Sequence, residues 1–163
     1  MIETMRNTKK YVLYHDIKYF LSDIAEALET HKGSEQYAVY GIARGGLIPA
    51  VILSHMLDAP MCPLNLKGEP NPFASVPFSF LDKYVPIIMD DIIDTGETIE
   101  SVLKFLFFHR SNLKKCIVAA PFSTERGIAR LCSINNVSIY SSDRGRLPND
   151  HPWLVFPWEE ERV

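Results

Sequence analysis

The chain has 163 residues, of which 47% are hydrophobic and 23% are charged. This length and composition are typical of one globular domain. The net charge of −3 gives no general attraction to nucleic acids or anionic membranes, and no basic patch interleaved with aromatic residues is present. The sequence therefore gives no support for a nucleic-acid-binding or membrane-associated protein.

The cysteines and the N-terminal segment predict the compartment. Cys62, Cys116 and Cys132 form neither a CxxC pair nor an even set for disulfides. We expect them to be small core residues in a reducing environment. Because no signal-type apolar run and no apolar stretch of about 18 residues is found, a cytoplasmic location is expected.

Hydrophobic periodicity predicts strands that alternate with helices. The predicted helices are 14–31, 47–57, 98–109 and 124–131, and the predicted strands are 37–42, 61–66, 85–89, 116–120 and 137–140. This alternation favours an α/β fold with a parallel, twisted sheet flanked by helices on both faces. We expect residues 1–10 to be loosely held, residues 121–124 to form a turn, and residues 141–163 to be irregular.

An acidic turn follows the predicted strand 85–89. Its sequence is Asp90-Asp91-Ile92-Ile93-Asp94-Thr95-Gly96-Glu97-Thr98, and a helical pattern comes next. A turn with glycine and threonine at a helix N-terminus presents N–H and hydroxyl donors, which suit a phosphate. Taken singly, these acids could be a polar exit from the core, with Asp94 or Thr95 as a helix N-cap.

A glycine turn, Ala43-Arg44-Gly45-Gly46, follows the predicted strand 37–42. On its own it could be a tight strand-to-helix turn with Arg44 in solvent. Ligands of parallel sheets bind beyond the carboxyl ends of the strands, where both turns are expected. We therefore predict that the glycine turn and the acidic turn open into one pocket.

Taken together, the motifs resemble a known family. The acidic turn resembles the phosphoribosyl diphosphate (PRPP) signature of type I phosphoribosyltransferases. The glycine turn resembles their pyrophosphate loop, whose non-proline cis peptide would here join Ala43 and Arg44. The tail sequence Trp153-Leu154-Val155-Phe156-Pro157-Trp158-Glu159 resembles the C-terminal segment of xanthine–guanine phosphoribosyltransferases.

The resemblance implies one phosphoribosyltransferase domain over 1–163. Its core would span about 35–141, with a small hood formed by about 142–163 and the N-terminal segment, and a mobile flap over 67–83. The implied activity is Mg²⁺-dependent transfer of 5-phosphoribosyl from PRPP to a 6-oxopurine (guanine, xanthine or hypoxanthine) in purine salvage, with release of pyrophosphate. A homo-oligomer, either a dimer or a tetramer, is also implied.

The resemblance also implies roles for individual residues. Asp94 would handle the proton at purine N7 and thus be catalytic, and Asp91 would contact the metal. The base would be bound by Asp94, Trp153 and Leu154, while Trp158 is expected to cap the core. Lys67 could reach a phosphate when the flap closes, or be a surface lysine. The implied PRPP-binding residues are Arg44, Gly45, Asp90, Asp91, Asp94, Thr95, Gly96, Glu97 and Thr98.

The chain departs from the family pattern at one position. The xanthine–guanine enzymes carry a lysine that reads purine O6 at the position of Ala120, before Pro121. Arg126, Arg144, Arg146 or a backbone group could substitute, or the base could differ or bind weakly. A non-catalytic regulator of the same fold that senses PRPP or a nucleotide is the alternative function. A phosphate-loop NTPase is excluded because no GxxxxGK[ST] motif is present.

Overall fold

A parallel β-sheet forms the centre of the computed structural model, which describes residues 8–68, 70–76 and 78–159. Its five strands lie in the order β3-β2-β4-β6-β8. Their bounds are Tyr37–Ile42 (β2), Met61–Leu64 (β3), Val85–Met89 (β4), Cys116–Ala120 (β6) and Val137–Ser141 (β8). Side chains of successive strand residues enter opposite cores, as the pleat requires.

Helices cover both faces of this sheet. Their bounds are Tyr14–His31 (α1), Leu47–Met56 (α2), Phe78–Lys83 (α3), Glu97–His109 (α4) and Glu125–Cys132 (α5). Helices α1 and α2 contribute buried residues to one core, and α4 and α5 contribute them to the other. The predicted parallel α/β fold is therefore confirmed, and the apolar stripes predicted on α1 and α4 are buried. Within the described residues, no helix is long and apolar enough to cross a membrane.

The strand order reverses between β2 and β4. From β2 the chain moves outward to β3, and then returns to β4 on the other side of β2 before it continues to β6 and β8. Residues 41 and 89 are aligned in adjacent strands, close to the carboxyl ends of both. Ligand clefts of open parallel sheets form at such a reversal, and the glycine turn and the acidic turn leave the sheet there.

Several local predictions are wrong. Residues 122–124, expected in a turn, form strand β7, which pairs with β5 (Ile92–Ile93) and β9 (Arg146–Leu147). The tail, expected to be irregular, contains β9, a 3₁₀ turn at Asp143–Gly145 and strand β10 (Trp153–Val155). These elements are so short that their periodicity is not visible in the sequence.

The chain ends are better ordered than predicted, and one cysteine is misassigned. Strand β1 (Lys9–Tyr11) pairs in parallel with β10, although residues up to 10 were expected to be loosely held; residues 1–7 of that prediction lie outside the described residues. Helix α3 occupies the last part of the predicted flap. Cys116 is buried as expected and Cys62 is half-buried, but Cys132 is exposed at the end of α5.

Candidate active site

The glycine turn and the acidic turn are in direct contact. A Cβ atom added at Gly45 would collide with the carboxylate of Asp91, and one added at Gly46 would lie 2.9 Å from the Cα atom of Asp90. Real Cβ atoms essentially never approach other heavy atoms so closely. The contacts at residue 46 are with backbone atoms, so glycine is required there, whereas a side chain at residue 45 would displace the Asp91 carboxylate.

Two cavities open at this meeting point and share the carboxylates of Asp90 and Asp91. The larger cavity has a volume of about 710 Å³, and the smaller one about 260 Å³. The larger is lined by Arg44, Gly45, Lys67, Asp90, Asp91, Pro157, Trp158 and Glu159, and the smaller by residues 90–96, 98 and 99. The two turns thus line two adjoining cavities that share the acid pair, and we refer to these cavities as the two lobes of the cleft.

The acid pair lies partly buried between these lobes. Burial raises the pKa of Asp90 well above its usual value, and repulsion by Asp91 raises it further. Burial likewise raises the pKa of Asp91 to about 6, and the charge of Glu159 adds to this effect. Two adjacent carboxylates with raised pKa values would be stabilised by a cation or by hydroxyl donors, which compensate for lost solvation.

The acidic turn leads into the N-terminus of α4. Gly96 has a φ of +77°, a conformation that glycine adopts at little cost, and it precedes the first helical residue, Glu97. The N–H of Glu97 donates to Oγ1 of Thr95 at 3.4 Å, and Thr98 lines the smaller cavity. The N–H groups of the first helical turn and the helix dipole make this lobe suited to an anion.

Asp94 lies close to an arginine and a histidine side chain. Its carboxylate pairs with the guanidinium of Arg126, and Nε2 of His151 lies 3.5 Å from the same oxygen. Nδ1 of His151 is 2.7 Å from the carbonyl oxygen of Pro152, which can only accept a hydrogen bond. Nδ1 therefore carries a proton, and a second proton on Nε2 would allow His151 to donate to Asp94.

The N-terminus of α5 is attached to the acidic turn. The hydroxyl of Thr124 donates to the backbone oxygen of Asp94 at 2.5 Å and accepts from the N–H of Gly127 at 3.1 Å, as a helix N-cap. A Cβ atom at Gly127 would lie 2.5 Å from the carbonyl oxygen of Ile93. The contact between Arg126 and Asp94 is thus fixed by backbone contacts around it.

The tail residues occupy different positions around this cleft. Trp158 packs against the core, as expected, and stacks on Phe156 with a ring distance of 5.0 Å, but it also lines the larger cavity. The side chain of Leu154 is buried, whereas Trp153 is 63% exposed and lines neither cavity. The tail tryptophan that borders the cleft is therefore Trp158.

Of the predicted PRPP-binding residues, the structure brings Arg44, Gly45, Asp90 and Asp91 to the larger lobe. It brings Asp90, Asp91, Asp94, Thr95, Gly96 and Thr98 to the smaller lobe. Glu97 follows Gly96 as an exposed residue. The peptide bond between Ala43 and Arg44 is cis, as the resemblance implied.

Sequence reasoning missed several residues of the site. Glu159 was not assigned to the cleft, and neither Thr124 nor His151 was connected to Asp94. The Thr-Glu-Arg-Gly sequence at 124–127 is a recognisable helix start, and a helix start after a parallel strand lies at the ligand edge of the sheet. No local pattern points to His151, because only the path of the tail brings it to Asp94.

Comparisons with known proteins agree with this geometry. A curated xanthine–guanine phosphoribosyltransferase of Cereibacter sphaeroides is 28% identical over 131 residues, which are 75% of this chain and 68% of that protein. The crystal structure of a purine phosphoribosyltransferase from Pyrococcus horikoshii is similar at 26% identity and a TM-score of 0.63, covering 95% of this chain and 96% of that one.

A third relative supports the fold alone, because its identity is low. The xanthine-guanine-hypoxanthine phosphoribosyltransferase of Helicobacter pylori is 19% identical, with a TM-score of 0.66 and coverage of 93% of both chains.

Residues 13–137, well over half of the chain, match the phosphoribosyl transferase domain family. The chain therefore belongs to the type I phosphoribosyltransferases, and xanthine–guanine phosphoribosyltransferases are among its relatives.

Proposed function

We propose that the chain is a purine salvage enzyme that transfers the 5-phosphoribosyl group of PRPP to a 6-oxopurine (guanine, xanthine or hypoxanthine) and releases pyrophosphate. The observation that carries this proposal is the pair of adjoining cavities that share the acid pair, each lined by a turn suited to anions. PRPP has the matching chemistry, since a monophosphate and a diphosphate flank its ribose. The curated relative and the Pyrococcus relative, named for purine substrates, support the choice of acceptor.

Each lobe would bind one end of the donor. The 5′-phosphate would lie at the N-terminus of α4, where Thr95, Gly96, Glu97 and Thr98 supply backbone N–H and hydroxyl donors. The backbone N–H of Glu97 would contribute, since its carboxylate would repel a phosphate. The diphosphate would lie at the glycine turn of the larger lobe.

The larger lobe has the charges that a diphosphate requires. Arg44 is exposed at its edge, and Lys67, at the start of the predicted flap, lines it as well. Both cations would stabilise the negative charge that develops on the leaving diphosphate. Gly45 would let the backbone approach the same group.

The acid pair would hold the sugar. Carboxylates of Asp90 and Asp91 accept hydrogen bonds, and the 2′- and 3′-hydroxyls of a ribose donate them. Bound in this way, the ribose is oriented for in-line attack at C1′.

The acid pair also fits Mg²⁺, through its Asp91 carboxylate. Among the described residues, no cluster of three or more His, Cys, Asp or Glu is arranged to hold a metal. Mg²⁺ commonly binds through one or two carboxylates and keeps water and substrate oxygens as its other ligands. When bound, the metal would neutralise charge on the diphosphate.

Asp94 would act at the base. As the bond between C1′ and the diphosphate oxygen breaks, a bond forms between C1′ and a ring nitrogen of the purine. The proton on N7 is then held or accepted by the Asp94 carboxylate. Trp153 lines neither cavity but follows His151, which lies beside Asp94, by two residues, so its exposed ring would stack on a purine held at Asp94. Leu154, whose side chain is buried, would offer backbone groups to the base edge.

A homo-oligomer, either a dimer or a tetramer, is part of the proposal. Ile48 and Val51 of α2 are 38% and 42% exposed, although α2 is apolar on most of its sides. Burial of these residues against a second copy would remove apolar surface from water. Light scattering coupled to size exclusion would give the mass of the particle, and a monomer would contradict this part.

The experiment that tests the function is a pyrophosphate-release assay. The protein is mixed with Mg²⁺ and PRPP, and with guanine, xanthine, hypoxanthine, adenine or a pyrimidine in turn. We expect release with at least one 6-oxopurine, abolished by EDTA and restored by Mg²⁺. Binding of PRPP or a nucleotide without release for any base would instead identify the non-catalytic regulator.

A further inference from the structure

The ion pair between Asp94 and Arg126 suggests how the base could be read. Ala120 and Pro121 provide no cation at the position where the family resemblance implies a lysine that reads the purine oxygen. Of the three arginines that could substitute, Arg126 alone contacts Asp94. The guanidinium of Arg144 lies over the ring of Tyr19 at 4.1 Å, and Arg146 lines a separate cavity with Ile128 and Cys132.

Arg126 is held by two contacts, and part of its guanidinium side chain is still exposed. The backbone N–H of Arg126 donates to Oδ1 of Asn149 at 3.2 Å, and its guanidinium pairs with the carboxylate of Asp94. Nε of the same guanidinium is buried and has no hydrogen-bond partner. The side chain as a whole is 34% exposed, so a ligand can reach it. A ligand acceptor close to Asp94 would therefore meet a fixed cationic donor.

We infer that Arg126 is a specificity-determining residue that donates a hydrogen bond to the 6-oxo group of the base. This inference rests on the proposed function, in which Asp94 contacts N7. In a purine, the 6-substituent and N7 lie side by side on the same edge. A purine that contacts the Asp94 carboxylate through N7 thus presents its 6-substituent to Arg126, which is paired with that carboxylate.

The chemistry of a guanidinium gives the direction of the preference. Arginine has five N–H donors and no acceptor. A 6-oxo group accepts from it, whereas the 6-amino group of adenine presents donors and leaves both sides without partners. A site built to hydrogen-bond one group rejects an analogue that lacks it much more strongly than an apolar pocket rejects a change of size. Arg126 therefore favours 6-oxopurines over 6-aminopurines.

The test compares Arg126→Gln with the wild type in two measurements. The first is kcat/KM for hypoxanthine and for adenine at saturating PRPP, together with the KM for PRPP. We expect kcat/KM for hypoxanthine to fall by about 10- to 100-fold, the effect of losing one hydrogen bond to a charged donor. The value for adenine should stay the same or rise, and the KM for PRPP should change by less than about threefold. Arg144→Gln is the matched control and should leave all these values unchanged.

The second measurement does not depend on turnover. Calorimetric titration with IMP and AMP compares ligands that differ in the 6-substituent. The wild type should bind IMP more tightly, and Arg126→Gln should lose this preference, while circular dichroism shows that the variant is folded. If Arg126→Gln loses the preference of the wild type for IMP but the wild type releases no pyrophosphate with any base, the proposed enzyme activity fails and the inference stands.

Two results would overturn the inference. One is equal affinity of the wild type for IMP and AMP. The other is an equal loss for hypoxanthine and adenine in Arg126→Gln, which would show that Arg126 only supports Asp94. Arg126→Lys separates the two roles further, because it keeps a donor-only cation and should retain the preference for IMP.

Discussion

Gly45 and Asp91 lie so close together that a methyl group on residue 45 would collide with the Asp91 carboxylate. This contact joins the turn after β2 to the turn after β4, at the point where the strand order of the sheet reverses. The proposed donor site depends on it, because each turn supplies groups for one end of PRPP. The following predictions test separate parts of this site.

Replacement of Asp94 by asparagine tests the proposed proton transfer. Asn keeps the shape of the side chain but cannot accept a proton at neutral pH. We expect kcat to fall by about 10²-fold, within the range for loss of a general acid or base, whereas the KM for PRPP should change little. Steady-state kinetics with saturating base and PRPP measure both constants. An unchanged kcat would remove Asp94 from this role.

The raised pKa of Asp91 predicts how stability depends on pH. The folded-state pKa of about 6 exceeds the ordinary value of 3.8, so below pH 6 the folded protein binds more protons than the unfolded chain. The free energy of unfolding contributed by this group therefore increases as pH falls from about 6 towards 4, and decreases as pH rises. Asp90 and Glu159 act on the same group, and Arg44 and Lys67 line the same cavity.

Asp91→Asn should remove this part of the pH dependence. We expect the variant to have a higher melting temperature than the wild type at pH 7.5 without Mg²⁺ or ligand, and a smaller difference at pH 4.5. Differential scanning calorimetry at the two pH values measures the effect. Glu26→Gln, at an exposed position of α1, is the control and should show no such difference. A variant less stable than the wild type at pH 7.5 would be evidence against a strained acid pair.

Thr124 should affect both stability and activity. Its hydroxyl caps α5 and donates to the backbone oxygen of Asp94. Thr124→Val removes both hydrogen bonds with little change of shape, so we expect a loss of about 1–2 kcal/mol in the free energy of unfolding. We also expect a lower kcat, since Asp94 loses a support. Thr124→Ser keeps the hydroxyl and should be close to wild type in urea unfolding and kinetics. Equal effects of valine and serine would show that the hydroxyl is not important.

The sequence predicts some parts of this site much better than others. The acidic turn and the glycine turn are continuous in sequence, and each follows an apolar strand, so both could be located and assigned to the same edge of the sheet. The contact of Arg126 and His151 with Asp94 could not be predicted. It depends on the packing of α5 and on the path of the tail, which leave no local periodicity.

The tail shows the same limit of prediction from sequence. Its aromatic motif was visible, but the pairing of β10 with β1 joins two three-residue strands from distant parts of the chain. Short strands carry too little alternation to reveal a partner. As a result, the sequence did not indicate that Trp158 would border the cleft while Trp153 would be exposed.

The most direct test of the shared cleft is calorimetric titration of the protein with PRPP in the presence of Mg²⁺, before any base is added. The wild type should bind one PRPP per chain. Gly45→Ala and Thr98→Val, one in each turn, should both weaken binding by more than about tenfold, as expected when a charged ligand loses its contacts. Gly33→Asn is the control, because residue 33 has open space around it and a positive φ that asparagine tolerates. No binding of PRPP by the wild type, or loss of affinity in only one of the two variants, would contradict a single site built from both turns.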